Sequence, residues 1–278
     1  MAEQAVETRV LRFTGAQRIA HAALMVSFLG LALTGMPLLF SHTAWAPTMA
    51  RLFGGFETAG LLHRFFAIVM IVDFVAHVAW LLNRVFVKKE YGVLWGPKSL
   101  VPQPTDLVQM LGHFRWFVGA GPRPKFDRWT YWEKFDYWAV FWGMFIIGGS
   151  GLMLWFPEFF SLVLPGTVFN LATLVHGEEA LLAVGFIFSI HFFNGHIRPE
   201  KFPMDTCMFS GRIPLEELQH ERPAEYERLV KEGKLASVLT GPAEPWALTW
   251  GRALGTVAVL SGLTMVGLIV FALFSGGH

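Results

Sequence analysis

Apolar residues in this chain do not form the spaced stripes of a water-soluble core; they come in unbroken runs. Residues 19–40, 137–157, 180–197 and 253–277 contain no Asp, Glu, Lys or Arg, and residues 65–82 contain only Asp73. A helix that crosses the hydrocarbon core of a bilayer needs about 20 such residues, and a helix in lipid satisfies its own backbone hydrogen bonds. The runs predict five transmembrane helices, near 17–40, 61–85, 134–157, 171–196 and 247–274. The expected fold is an all-α integral membrane bundle. Between the runs the pattern weakens. From Asp106 to Val118, apolar residues at 107, 108, 110, 111, 114, 116, 117 and 118 predict a helix that lies on the membrane surface or under a loop, with Thr105 as its N-cap. The connection from Arg198 to Trp246 includes Pro214-Leu-Glu-Glu-Leu and a charged amphipathic helix from Ala224, closed by Gly233.

Composition agrees with a bilayer. Of 278 residues, 54% are hydrophobic and 15% charged, against roughly a quarter charged in a soluble protein. The net charge of +1 gives nucleic acid nothing to bind. Cys207 is the one cysteine, which excludes an internal disulfide and any iron–sulfur cluster or Cys-rich zinc site built from this chain alone. No C-x-x-C-H occurs, which excludes covalently attached c-type haem. Basic residues are lopsided: three up to Arg18, nine from Arg84 to Lys134 and eight from Arg198 to Arg252, so 20 of 22 fall on one side. That side is expected to be cytoplasmic, with the N-terminus there and the C-terminus opposite. The first run is span-length and lacks a small-residue cleavage pattern, so it serves as its own insertion signal. Trp45, Trp80, Trp95, Trp132, Trp155, Trp246 and Trp250 fall near expected span ends, as an interfacial belt should.

Ionisable groups inside a bilayer are costly, so intramembrane histidines are functional candidates. His21 lies near the cytoplasmic end of the first span and His63 near the outer end of the second, with His77 14 residues further on; His176 and His191 lie 15 residues apart on the fourth, which His196 ends. Fourteen or fifteen helical steps rise about 21–22 Å and return to within about 40–60° of the same face. His63 is therefore level with His176, and His21 with His191. Two planar cofactors clamped between imidazoles, one near each surface, fit this arrangement: two bis-His haems. Arg18, Arg64 and Arg198 stand at the membrane edges beside these histidines, where haem propionates want cations. His77 is a second candidate partner for His191, a ligand to a third haem, or a residue of a quinone pocket. His196 reads as an interfacial or proton-handling group. Gly30, Gly35, Gly143, Gly148, Gly149, Gly151 and Gly185 leave room for a flat ring or for a close helix neighbour. His42, His113, His220 and His278 fall in connections or the tail and are expected to face solvent.

The stretch Arg12-Phe13-x4-Arg18-x2-His21, continuing to Phe28, Leu31, Thr34 and Gly35, resembles the first helix of the bacterial di-haem cytochrome b family, the membrane subunits of respiratory formate dehydrogenases and nickel–iron hydrogenases. Gly60-Leu-Leu-His63-Arg-Phe-Phe resembles the start of that family's second helix, and His176 with His191 its fourth-helix pair. Trp132-Glu-Lys-Phe-Asp-Tyr-Trp138 and His196-Ile-Arg-Pro-Glu-Lys-Phe-Pro-Met-Asp205 resemble a subgroup associated with multihaem c-type cytochromes. The resemblance covers residues 9–200. It departs from the family in a fifth helix, in His77, and in a fourth-helix spacing one residue longer than usual.

The resemblance implies three regions: a four-helix di-haem core over 1–200, a cytoplasmic connection over 201–246 and a fifth helix over 247–278. It implies haem b held by His63 and His176 on the outer side and by His21 and His191 on the inner. Quinone, either menaquinone or ubiquinone, would bind near the inner haem, with His77, Asn83, Arg84, His196 and Arg198 at hand and Asp73 on a proton path. The implied role is an electron-transfer subunit of a quinone-linked oxidoreductase complex in the bacterial cytoplasmic membrane, surrounded by lipid. Its partner on the periplasmic side would be a multihaem c-type cytochrome, an iron–sulfur subunit or a catalytic oxidoreductase subunit. A reading from another class also fits intramembrane His and Asp: a haem-free proton- or metal-handling transporter or assembly subunit.

Overall fold

Five helices in the computed structural model, which describes residues 8–274, are long and apolar enough to cross a membrane: Gly15–Leu39, Phe56–Val87, Tyr131–Trp155, Gly166–Ile197 and Pro245–Phe274. They are called long helices one to five here. The apolar runs located all five to within about five residues. Helices two and four begin earlier than their runs. Gly54 and Gly55, at φ of +88° and +105°, stop the short helix Ala46–Leu52 and let helix two start at Phe56. Extended Pro165 fixes the entry to helix four at Gly166, well before its uncharged run. Three long helices contain π-helical turns that hydrophobicity does not reveal: Asn83–Val87, Met144–Gly148, and the pair Ile187–His191 and Phe193–Ile197.

Residues 8–18, 77–139 and 206–251 form one compact unit; residues 19–76, 140–205 and 252–274 form another. The first unit departs from an all-helical fold. Strand β1 (Arg9–Leu11) pairs antiparallel with both β2 (Arg212–Pro214) and β3 (Leu239–Thr240), giving the order β2-β1-β3. Strands of two or three residues are too short to show alternation in the sequence. Val10, Cys207, Ile213, Leu218 and Leu229 form the core behind this sheet. Gly211 turns the chain into β2 at φ +75° and accepts hydrogen bonds from the Arg12 and Phe13 amides. The expected charged helix is Pro223–Lys231, and Gly233, at φ +65°, ends it as foreseen. Leu215–Glu221 is helical as well.

Buried ion pairs bind this unit together. The Glu225 carboxylate takes Arg12 at 2.8 Å and Arg128 at 3.3 Å, Glu133 takes Arg222 at 2.8 Å, Asp127 takes Arg228 at 2.7 Å and Asp106 takes Lys134 at 2.8 Å. Arg12 and Arg128 also donate to each other's backbone carbonyls and flank the Trp129 ring. Burial opposes the charge on Arg12, but Glu133 and Glu225 outweigh it and hold its pKa above the ordinary value. At Arg222 burial wins, and the pKa falls below the ordinary value despite Glu133.

Two local expectations change here. The helix Pro104–Phe117 is capped by Gln103, whose backbone amide donates to Asp106 at 2.6 Å, and not by Thr105; Pro104 takes the first helical position and moves the cap two residues back. His113 does not face solvent. It is buried, hydrogen-bonded to the Tyr131 hydroxyl at 3.1 Å and stacked on Trp116, Phe117 and Trp132. His42 and His220 are exposed, as expected, and His278 lies outside the described residues.

In the second unit, helices one, four and five meet through Ala32, Met36 and Phe40, through Val184, Phe188 and Phe192, and through Ala258, Met265 and Ile269. Gly262 is required by this packing, since a Cβ there would lie 2.8 Å from both Phe188 and Phe192.

Replacing Glu225 with Gln leaves the buried Arg12 and the partly buried Arg128 without their shared anion. The expected cost is about 3–5 kcal/mol, read as a lowered unfolding midpoint of the purified protein; Glu227→Gln, which breaks only an exposed pair with Lys125, should change it little.

Candidate functional site

Long helices two and four bring the His63 and His176 rings together in an edge-on contact. Their ring centres are 6.2 Å apart and their planes cross at 81°. Two imidazoles that bind one metal ion from opposite sides, at metal–nitrogen distances of about 2.0 Å, place their centres about 6.3 Å apart.

The neighbouring helices fix which ring nitrogen carries the proton. On helix one the Thr34 hydroxyl gives its proton to the Gly30 carbonyl at 2.6 Å. It is then only an acceptor for Nδ1 of His63, 3.2 Å away. On helix three the Ser150 hydroxyl gives its proton to the Ile146 carbonyl at 2.6 Å and faces Nδ1 of His176 at 3.3 Å. The Ile147 carbonyl, 2.9 Å from the same Nδ1, has no proton to give either. Both histidines are therefore held as Nδ1–H donors with the lone pair on Nε2, the tautomer of a metal-ligating imidazole.

Each hydroxyl is followed by a glycine that makes room for the ring. A Cβ on Gly35 would lie 2.8 Å from His63 Cε1, and one on Gly151 would lie 2.9 Å from His176 Cε1. Helices one and three thus carry the same device, Thr34-Gly35 and Ser150-Gly151. The π-helical turn Met144–Gly148 stands immediately before the second of these and contains the Ile147 carbonyl.

At the other level, His21, His191 and His196 lie near enough to influence one another's charge, and His196 also senses Asp205. His191 closes a π-helical turn and His196 lies in the next one. A π turn holds one more residue than an α turn, so the 15 residues from His176 to His191 do not convert to depth and angle as they would in a straight α-helix. Nδ1 of His196 is buried without a hydrogen-bond partner among the described residues, as is Nε of Arg18, one turn before His21 on helix one.

The remaining expected residues are spread out. Nε2 of His77 meets the Tyr137 hydroxyl at 2.8 Å, and its ring stacks on Trp80. Arg84 is tied to Glu90 and lies over Trp80 at 5.0 Å; Asn83 is exposed at the start of a π-helical turn. Arg64 rests against the Trp155 ring at 5.7 Å. Asp73 is partly exposed midway along helix two. Arg198 follows directly on the end of helix four. Sequence reasoning missed Tyr137, and it missed Glu179, which accepts a hydrogen bond from the Trp142 indole at 3.1 Å one turn beyond His176. The spacing His176-x-x-Glu179 could have drawn notice to the second of these.

The residues present fit a haem. Among the described residues, no three His, Cys, Asp or Glu side chains converge to hold a bare metal ion. A porphyrin supplies four equatorial nitrogens of its own, so two opposed imidazoles complete its iron. No protein-family model and no curated protein matches this chain.

Gly35→Ala or Gly151→Ala should overpack the histidine it faces. Each is expected to cost about 1–3 kcal/mol, whereas Gly185→Ala, with nothing within 4 Å of the added carbon, should be neutral; unfolding midpoints of the three variants compare them.

Proposed function

We propose that this chain is a multi-pass subunit of the bacterial cytoplasmic membrane that carries electrons between a quinone pool and a partner redox protein on the periplasmic side. The observation that carries the reading is the opposed pair His63 and His176, with centres 6.2 Å apart and both Nδ1 atoms set against acceptors. These two would hold one haem b, and His21 with His191 a second. Bound there, haem b supplies reversible one-electron redox chemistry. The protein's part is to fix both imidazole tautomers, to surround the site with apolar helices and to set basic groups near its edges. Arg64 would serve the outer propionates, and Arg18 and Arg198 the inner ones.

Quinone would bind near the inner histidines. His196, with its buried unpartnered Nδ1, is the group best suited to hold or pass a proton there. His77 has its Nε2 on Tyr137, which favours a proton-handling part over an iron ligand. Asp73 stands one turn before His77 on helix two, and Asn83 and Arg84 stand further along it, with Arg84 already engaged by Glu90. The twenty basic residues on one side orient the N-terminus to the cytoplasm and the C-terminus to the periplasm. A multihaem c-type cytochrome, an iron–sulfur subunit or a catalytic oxidoreductase subunit would dock outside.

The purified protein should give a reduced-minus-oxidised spectrum with b-type bands. The haem-to-protein ratio should fall by half in His63→Ala and in His176→Ala, and by half in His21→Ala, while His77→Ala keeps it. A colourless preparation would end the reading, and loss of haem in His77→Ala with retention in His21→Ala would replace the inner pair.

A further inference from the structure

The helix Pro104–Phe117 is turned inside out for a helix in water. Its polar side is pinned to protein: Asp106 receives Lys134 at 2.8 and 2.9 Å, and His113 meets Tyr131 at 3.1 Å. Asp106 and His113 are 9% and 8% exposed, whereas Val108 and Phe117 are 70% and 65% exposed. Leu107, Leu111, Phe114 and Val118 share the exposed side, at three- and four-residue steps. Two independent hydrogen-bonded pairs hold this orientation, so the apolar side faces outward by construction. The same unit exposes Phe86 and Val87 at the end of helix two, and Trp95 after it. Exposed apolar surface thus continues along the chain from the end of a membrane-length helix to this one.

Charge identifies the occupant. All four carboxylates between residues 84 and 134 are paired: Glu90 with Arg84, Asp106 with Lys134, Asp127 with Arg228 and Glu133 with Arg222. Lys88, Lys89 and Lys98 stay exposed on the connection that leads from helix two to this helix, and Arg115 stays exposed on the helix itself; Lys98 also feels the Glu232 carboxylate. An exposed apolar face whose own stretch of chain carries exposed cations and no unpaired carboxylate matches the acyl-chain and headgroup boundary of an anionic leaflet. We propose that the helix Pro104–Phe117 is a membrane-interface anchor that seats Leu107, Val108, Leu111 and Phe114 among acyl chains and the exposed cations of its stretch of chain on anionic phospholipid. The inference needs the membrane reading and is independent of haem.

The test uses the full-length protein in phosphatidylcholine vesicles with and without 30% phosphatidylglycerol, a proportion of about one lipid in three chosen to give a strongly negative surface. A spin label is placed at Leu111→Cys, and at Lys98→Cys as the control; wild type, whose lone Cys207 is buried, gives the blank. At 111, collision with oxygen should exceed collision with a water-soluble nickel chelate several-fold, with the order reversed at 98. Removing the anionic lipid, or converting Lys88, Lys89 and Lys98 to Gln, should bring the 111 label measurably closer to water. A label at 111 open to the nickel chelate in both vesicles overturns the proposal. So does a label shielded from both reagents and immobilised, which would put a second copy or another protein on this face. An unchanged ion-pair-dependent unfolding midpoint in Leu111→Cys confirms that the variant is folded.

Discussion

The candidate centre depends on the direction of two hydrogen bonds. A hydroxyl that has given its proton to a helix carbonyl can only accept from a neighbouring imidazole. Thr34 and Ser150 are both in that state, bonded at 2.6 Å to carbonyls four residues back. Each turns its histidine into an Nδ1 donor and leaves the Nε2 lone pair for a ligand. In apolar surroundings the alternative tautomer would set lone pair against lone pair, with no water to relieve it. The protein alone sets the tautomer of both rings. The glycine after each hydroxyl then decides where the ring can lie.

The long helices were legible because lipid demands lengths and compositions that few other constraints mimic. The intervals between the histidines were legible, but counting them as depth assumes a straight α-helix, and helix four has a π-helical turn at Ile187–His191. What the sequence hid is local and nonperiodic. Thr34 and Ser150 look like ordinary small polar residues in apolar helices, and only the carbonyls they bind reveal the polarity of their contacts. The π turns at Met144–Gly148 and Ile187–His191 leave no trace in hydrophobicity. His113 looked like a loop histidine because Tyr131 and Trp132, which enclose it, follow at a distance along the chain. The three strands were too short to carry a pattern.

The other unit solves a different problem. Its apolar core is small, and charged groups do much of the joining. Arg12 and Arg222 are buried and Arg128 is partly so, and each finds a carboxylate from a distant stretch. Such pairs contribute little net stability compared with apolar packing, but removing one partner is expensive. They make the arrangement specific: β1, the segment around Trp129 and the helix Pro223–Lys231 have few alternatives that would satisfy all these charges together.

The order β2-β1-β3 also sets a timetable for synthesis. The strand translated first is the middle one, and both of its edges are vacant until β2 and β3 emerge. At about 5–20 residues per second, the roughly 200 intervening residues take about 10–40 s to make. Throughout that interval the nascent chain presents Arg9, Val10 and Leu11 without their native neighbours. Completion of the sheet comes only after four of the five long helices have been translated.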